Sequence, residues 1–136
     1  MATRGLIRIF DDKDKPLVCC YNHLDSYPEE LGQELANFLS EFEIINGITF
    51  DTSNKKANGM KCLAAQLIAY FKLGIGRFYI YPIDTKDAGQ EYEYHIKLKD
   101  NKIILSCPEI EFEGYPKDFK NYLDLYNKKW DIEAQD

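Results

Sequence analysis

The sequence predicts an α+β domain: an antiparallel sheet of about five strands with three helices, in the order ββ-α-α-βββ(β)-α. Short runs rich in Ile, Phe and Tyr, separated by tight polar turns, open the chain and fill most of its second half. Two segments between them, and a third that closes the chain, repeat apolar residues at helical spacing. No stretch rich in Pro, Gly or Ser divides the sequence. Residues 1–136 therefore read as one domain, with 131–136 as a loose tail.

Residues 5–10, GLIRIF, and 17–21, LVCCY, read as a hairpin joined by the charged turn at 11–15 and restarted by Pro16. The chain then passes through CYNHLDSYPE, residues 20–29. Ser26 with Glu29 matches a capping box, and Pro28 suits a first helical turn, where its missing N–H costs little. Leu31, Leu35, Phe38, Leu39 and Phe42 fall on one stripe of the helix that follows. Gly32 interrupts that helix and weakens it by about 1 kcal/mol relative to Ala, so it reads as a tolerated surface glycine or as a place of close approach.

Turn residues dominate 43–58. Ile44, Ile45, Ile48 and Phe50 still need burial, which predicts a short strand or a packed loop. The second helix carries Met60, Leu63, Ala64, Leu67, Ile68 and Phe71 on one side, and Cys62, Ala65, Ala69 and Tyr70 make the other side apolar too. Such a helix belongs deep in the structure or in an interface. Gly74 and Gly76 stop it.

RFYIYPI, residues 77–83, is apolar or aromatic on both faces, as a central strand is, with Pro82 at its end. After a polar loop, EYEYHIKLK (91–99) alternates: Tyr92, Tyr94, Ile96 and Leu98 face one way, and Glu91, Glu93, His95 and Lys97 the other. Asp100-Asn101 suits a hairpin turn leading into KIILSC, residues 102–107. Ile110 and Phe112 then mark a short edge-like strand. The last helix starts near Pro116, with Phe119, Tyr122, Leu123, Tyr126 and Trp130 on its stripe. Tyr115-Pro116-Lys117 echoes Tyr27-Pro28-Glu29 as helix-start chemistry.

Composition narrows the function. Hydrophobic residues make up 45% of the chain, as in an ordinary globule, but ten Tyr, eight Phe and one Trp are a surplus of aromatics. Tyrosine pairs an apolar body with a polar tip, which suits half-buried or interface positions. A net charge of −6 with no basic stripe argues against general nucleic-acid binding. No apolar run reaches the length of a membrane span and no signal peptide opens the chain, so no membrane association and a cytoplasmic setting are expected. Cys19 and Cys20 leave opposite faces of one strand, and Cys62 and Cys107 lie in apolar runs. All four read as reduced, core-like thiols, with no metal and no cofactor expected.

Several polar groups are candidates for chemistry. His23 and Asp25 sit between a strand and a helix, where an imidazole beside a carboxylate can move protons. The alternative is that Asp25 simply favours the helix N-terminus. His95 reads as a solvated strand residue. Asn58-Gly59, flanked by Lys55, Lys56 and Lys61, offers backbone N–H groups to an anion, or else is a plain helix start. Asp84, Thr85, Asp87, Gln90 and Tyr92 cluster around one loop, as a ligand site or as a turn bonding its own backbone.

Taken together, Thr3-Arg4-Gly5, Tyr21, His23, Asp25-Ser26-Tyr27-Pro28, Gly32 and Leu35 through Leu39 resemble an uncharacterised family of small proteins from bacteria, phages and other viruses. Asn46-Gly47-Ile48, Ala57-Asn58-Gly59-Met60, Leu63-Ala64-Ala65-Gln66-Leu67 and the Asp84–Tyr92 loop extend the likeness. It spans roughly residues 3–96, the bulk of one domain. Ser26 stands where that family usually has glycine, and Asn22 where it often has a basic residue. The family carries no established reaction. The resemblance implies a setting, a cytoplasmic protein of a virus, mobile element or prokaryotic host, and a ligand-binding set: Tyr21, His23, Asp25, Tyr27, Asn46, Asn58, Asp84 and Gln90.

The expected function is a non-catalytic binding protein for a protein or a small nucleotide-like ligand, acting against a host defence system where the setting is viral. The apolar second helix points to a homodimer. The alternatives are a small hydrolase or transferase using His23 and Asp25 as acid and base, and a structural or assembly protein. All of these expect the polar loops to meet at one rim of the sheet.

Overall fold

The computed structural model describes residues 2–47 and 55–134. The chain runs β1 (Gly5–Phe10), β2 (Pro16–Asn22), α1 (Gln33–Ser40), β3 (Glu43–Ile45), β4 (Lys56–Asn58) and α2 (Gly59–Phe71). It continues through β5 (Phe78–Tyr81), β6 (Tyr92–Lys99), β7 (Lys102–Cys107), β8 (Phe112–Gly114) and α3 (Phe119–Ala134). Six strands form one sheet in the order β5-β2-β1-β6-β7-β8, and β3 with β4 forms a small second sheet.

The α+β class holds, but the antiparallel sheet of about five strands does not. β1 runs parallel to β6, from Gly5 opposite Tyr92 to Ile9 opposite Ile96, and β3 runs parallel to β4. The hairpins β1–β2 and β6–β7 are antiparallel and locally encoded. How one hairpin docks on the other is not encoded locally, because side chains alternate identically along a strand in either direction. A parallel join needs a long crossover, and the segment holding α1 and α2 supplies it. β3 and β4 occupy the two ends of the stretch expected to hold one strand or a loop; Ile48 and Phe50 lie outside the described residues.

Residues 77–83 are the second correction. Among the described residues β5 pairs only with β2, as an edge strand, and Tyr79 on one face and Ile80 on the other stay exposed. Phe112, in β8 at the opposite edge, sits where the sequence expects an edge strand. α3 continues to Ala134, beyond the expected start of the tail, because nothing from Phe119 onward breaks a helix. The side chain of Trp130 is outside the described residues.

All three helices cover one face of the sheet. Ile7, Ile9, Cys20, Tyr94, Ile96, Leu105 and Cys107 from the strands join Leu35, Leu39, Met60, Leu63, Leu67, Phe119 and Leu123 from the helices in one core. Each fully buried Leu or Ile there contributes roughly 1.5–3 kcal/mol. On the other face Leu6, Cys19 and Tyr21 form a small cluster under Tyr81 and Ala88.

Gly32 is a place of close approach. It ends a wide helical turn, Pro28–Gly32, that leads into α1, and a Cβ on it would lie 2.8 Å from Phe119 Cζ and 3.0 Å from Tyr94 Cε1. The second helix is less buried than its composition implies. Met60, Leu63, Ala64 and Leu67 of α2 face the core, while Ala65, Ala69 and Tyr70 are exposed. α2 touches the sheet along one side only.

Candidate functional site

The CYNHLDSYPE stretch is a structural lock. Asn22 is buried and donates from Nδ2 to the Leu24 carbonyl at 2.6 Å and to Ser26 Oγ at 2.9 Å. Ser26 Oγ donates back to the Asn22 carbonyl at 3.1 Å, and the Ser26 N–H donates to the Thr3 carbonyl at 3.0 Å. The Tyr94 hydroxyl closes the knot on the Ser26 carbonyl at 2.6 Å. The capping box therefore does not form: Ser26 turns inward, Tyr27 takes the N-cap position without a side-chain bond, and Glu29 accepts instead from Asn127.

His23 and Asp25 do not meet as acid and base. His23 Nδ1 shares a 2.7 Å hydrogen bond with the Tyr21 hydroxyl, and the Tyr21 ring stacks on Tyr81. Asp25 sits at φ +53, which turns its carboxylate outward to lie 4.0 Å from Arg77. Both of those side chains are well exposed, so the pair contributes little. A cavity of about 190 Å³ opens beside them, lined by Asp25, Arg77, Glu30, Glu34, Phe71 and Phe78 among others.

Asn46 and Asn58 lie at the other end of β1. They share a cleft with Asp11, Asp12, Lys13, Lys15 and Lys61, and Asn58 Oδ1 accepts from the Gly47 N–H at 2.9 Å. At the helix start Asn58-Gly59 the protein supplies its own carboxylate: Asp12 Oδ1 accepts from the Met60 N–H at 2.8 Å. That carboxylate occupies the N-terminus of α2 and satisfies one of its orphan donors.

Asp84 and Gln90 belong to a strap over the second face of the sheet. Gln90 accepts from the Ala88 N–H and donates to the Lys86 carbonyl and to Glu93. Arg8 donates to Glu93 Oε1 at 2.7 Å and to the Thr85 carbonyl at 2.6 Å, and His95 donates to Glu93 at 3.1 Å. Burial pushes the Glu93 carboxyl up, but the bonds from Arg8, His95 and Gln90 outweigh it and hold it down at about 2. The expected single rim is thus overturned. His23 and Asp25 stand at the Gly5 end of the sheet, Asn46 and Asn58 at the Phe10 end, and Asp84 and Gln90 in the strap. Turn chemistry gave each group a local role that does not require convergence.

A different place gathers ligand-like chemistry. A cleft of about 340 Å³ opens between the C-terminal end of α1, the start of β3, the β6–β7 turn and the turn before α3. Buried Leu39, Ile44, Ile103 and Pro116 line its floor. Tyr115, 42% exposed, stands at its edge with Lys117 Nζ 5.7 Å from its ring. Asn101 and Lys102 enter from the hairpin turn, and Ser40 and Glu43 from the corner between α1 and β3. Among the described residues, neither Lys102 nor Lys117 enters an ion pair. None of the eight expected ligand-binding residues lines this cleft. Its only sequence trace is Tyr115-Pro116-Lys117, which reads as helix-start chemistry until the sheet topology brings Lys102 beside it.

The described thiols are quiet. Burial pushes Cys20 and Cys107 up to about 12 and raises Cys19. Among the described residues, no group of three His, Cys, Asp or Glu is placed to hold a metal ion, and no helix is long and apolar enough to cross a membrane. Among known proteins, no family model, no curated sequence and no solved structure matches this chain.

Proposed function

We propose that the chain is a non-catalytic binding protein that takes a small ring-bearing anion, of the nucleoside monophosphate or aromatic carboxylate class, in the cleft between α1 and the β6–β7 turn. The observation that carries this reading is that Lys102 and Lys117, neither in an ion pair among the described residues, line one cleft with an exposed Tyr115 ring and an apolar floor. In a chain of net charge −6, two such cations flanking one cleft favour an anion. The floor and the tyrosine favour a flat apolar body, and the volume matches a small-ligand site. Glu43 and the C-terminal end of α1, the negative end of its dipole, line the same cleft, which disfavours a polyphosphate and favours a single anionic group.

The geometry does not favour the acid–base alternative with Asp25: His23 shares its hydrogen bond with the Tyr21 hydroxyl, and Asp25 lies 4.0 Å from Arg77. Calorimetric titration with AMP, adenosine, inorganic phosphate and indole-3-acetate tests the proposal. AMP or indole-3-acetate should bind, with adenosine and phosphate at least tenfold weaker. Lys102→Ala with Lys117→Ala should weaken the ring-bearing anion at least tenfold. Equal binding of adenosine, or no effect of the double variant, would refute it.

A further inference from the structure

The cavity beside Asp25 and Arg77 shares no lining residue with the cleft of the proposed function. One of its polar groups is nearly buried and lacks a donor. Asn22, 5% exposed, spends Nδ2 on the Leu24 carbonyl and on Ser26 Oγ. Its Oδ1 accepts no hydrogen bond among the described residues. Every side-chain oxygen sealed from solvent there has a partner, so this one reaches the open space of the cavity that Asn22 lines. An amide oxygen so enclosed favours a ligand that brings it a donor.

The charges around it point the same way. Glu30 and Glu34 line the cavity and enter no ion pair and no side-chain hydrogen bond among the described residues. They are four residues apart in the helical turn and α1, a spacing at which like charges repel. Asp25 has Arg77 at 4.0 Å. Three carboxylates against one guanidinium leave the lining a net charge of −2. The rest of the wall is apolar, with the ring of Phe71 stacked on buried Phe78 at 5.9 Å between centroids.

An ammonium is positive, carries three N–H donors and accepts nothing, which suits a lining of acceptors. A methylene stem suits the phenylalanine rings, whose faces also attract a cation. A volume of about 190 Å³ lies below that of drug-sized sites and suits a chain of a few carbons. A dication matches the excess of two negative charges.

We infer that this cavity binds a short aliphatic diamine, with one ammonium donating to Asn22 Oδ1, the other held by Glu30 and Glu34, and the stem along Phe71 and Phe78. The inference goes beyond the proposed function and does not rest on it.

Calorimetric titration of the full chain with 1,4-diaminobutane, butylamine and 1,4-butanediol at pH 7.5 tests it. The diamine should bind saturably, butylamine at least threefold more weakly and the diol not at all. Glu30→Gln with Glu34→Gln, both at exposed positions, should weaken the diamine at least tenfold. Glu113→Gln, exposed on β8 at the other edge of the sheet, should leave it unchanged. Absent diamine binding, or a diol that binds equally, overturns the inference. So does a double variant without effect, or a Glu113→Gln that weakens binding as much, since binding would then follow overall charge.

Discussion

Gly32 lies directly beneath the ring of Phe119, so close that a Cβ on it would meet Phe119 Cζ at 2.8 Å. Tyr94 Cε1, 3.0 Å away, closes the other side. Both rings are fully buried and cannot swing clear. Helix propensity alone says that Ala at this position gains about 1 kcal/mol. Overpacking costs typically 1–3 kcal/mol and wins when the neighbours cannot move. Gly32→Ala should therefore lower stability by about 1–2 kcal/mol, read as a fall in the urea midpoint with an unchanged slope. A stabilised variant would mean that the turn opens away from Phe119.

The Tyr94–Ser26 bond makes the lock around Asn22 a second test. Tyr94→Phe keeps the ring and strands a carbonyl in the core. The expected cost is about 1–3 kcal/mol. His23→Ala, which breaks only the half-buried bond to Tyr21, should cost less than 1 kcal/mol and leave ligand binding unchanged.

Glu93 ties stability to pH. Its folded-state carboxyl is held at about 2, below the ordinary value of 4.5. A depressed carboxylate contributes stability that is complete above the ordinary value and is lost as pH falls through the folded one. The window is therefore from about 4.5 down to about 2. Glu93→Gln should cost about 2 kcal/mol at pH 7, a partly buried ion pair being worth less than a fully buried one. The variant's denaturation midpoint should also fall less steeply than the wild type's across that window. An equal slope in both would remove Glu93 from the account.

The four cysteines should separate by burial. Cys19, Cys20 and Cys107 are buried, with thiols raised by that burial; Cys62 is half-buried on α2. A thiol reagent at pH 8 should modify Cys62 alone in the native protein, and the other three only at the rate of unfolding. Fast modification of a second cysteine would contradict the packing of β2 or β7.

What the sequence shows of this fold ends where local chemistry ends. The alternation of Tyr92, Tyr94 and Ile96 against Glu93, His95 and Lys97 is reproduced face for face, and Asp100 and Asn101 take the positive φ angles of a tight hairpin turn. The parallel docking of β6 on β1 was not legible, because period-two alternation carries no direction. Ser26 illustrates a different limit. Its spacing from Glu29 fits a cap, but a buried Asn22 four residues earlier competes for the same hydroxyl. At the α2 N-terminus, the carboxylate in reach is Asp12, 48 residues away in sequence. The cleft is the extreme case, since Lys102 and Lys117 come to line one cavity only once the start of β7 and the turn before α3 are packed together.

The proposed function rests on that cleft, and amide chemical-shift mapping during a titration with AMP tests it most directly. The account predicts shifts at Leu39–Ile44, Asn101–Ile103 and Tyr115–Lys117, and none at His23, Asp25 or Tyr27. Shifts centred on His23 and Asp25, or a spectrum that does not change, would contradict it.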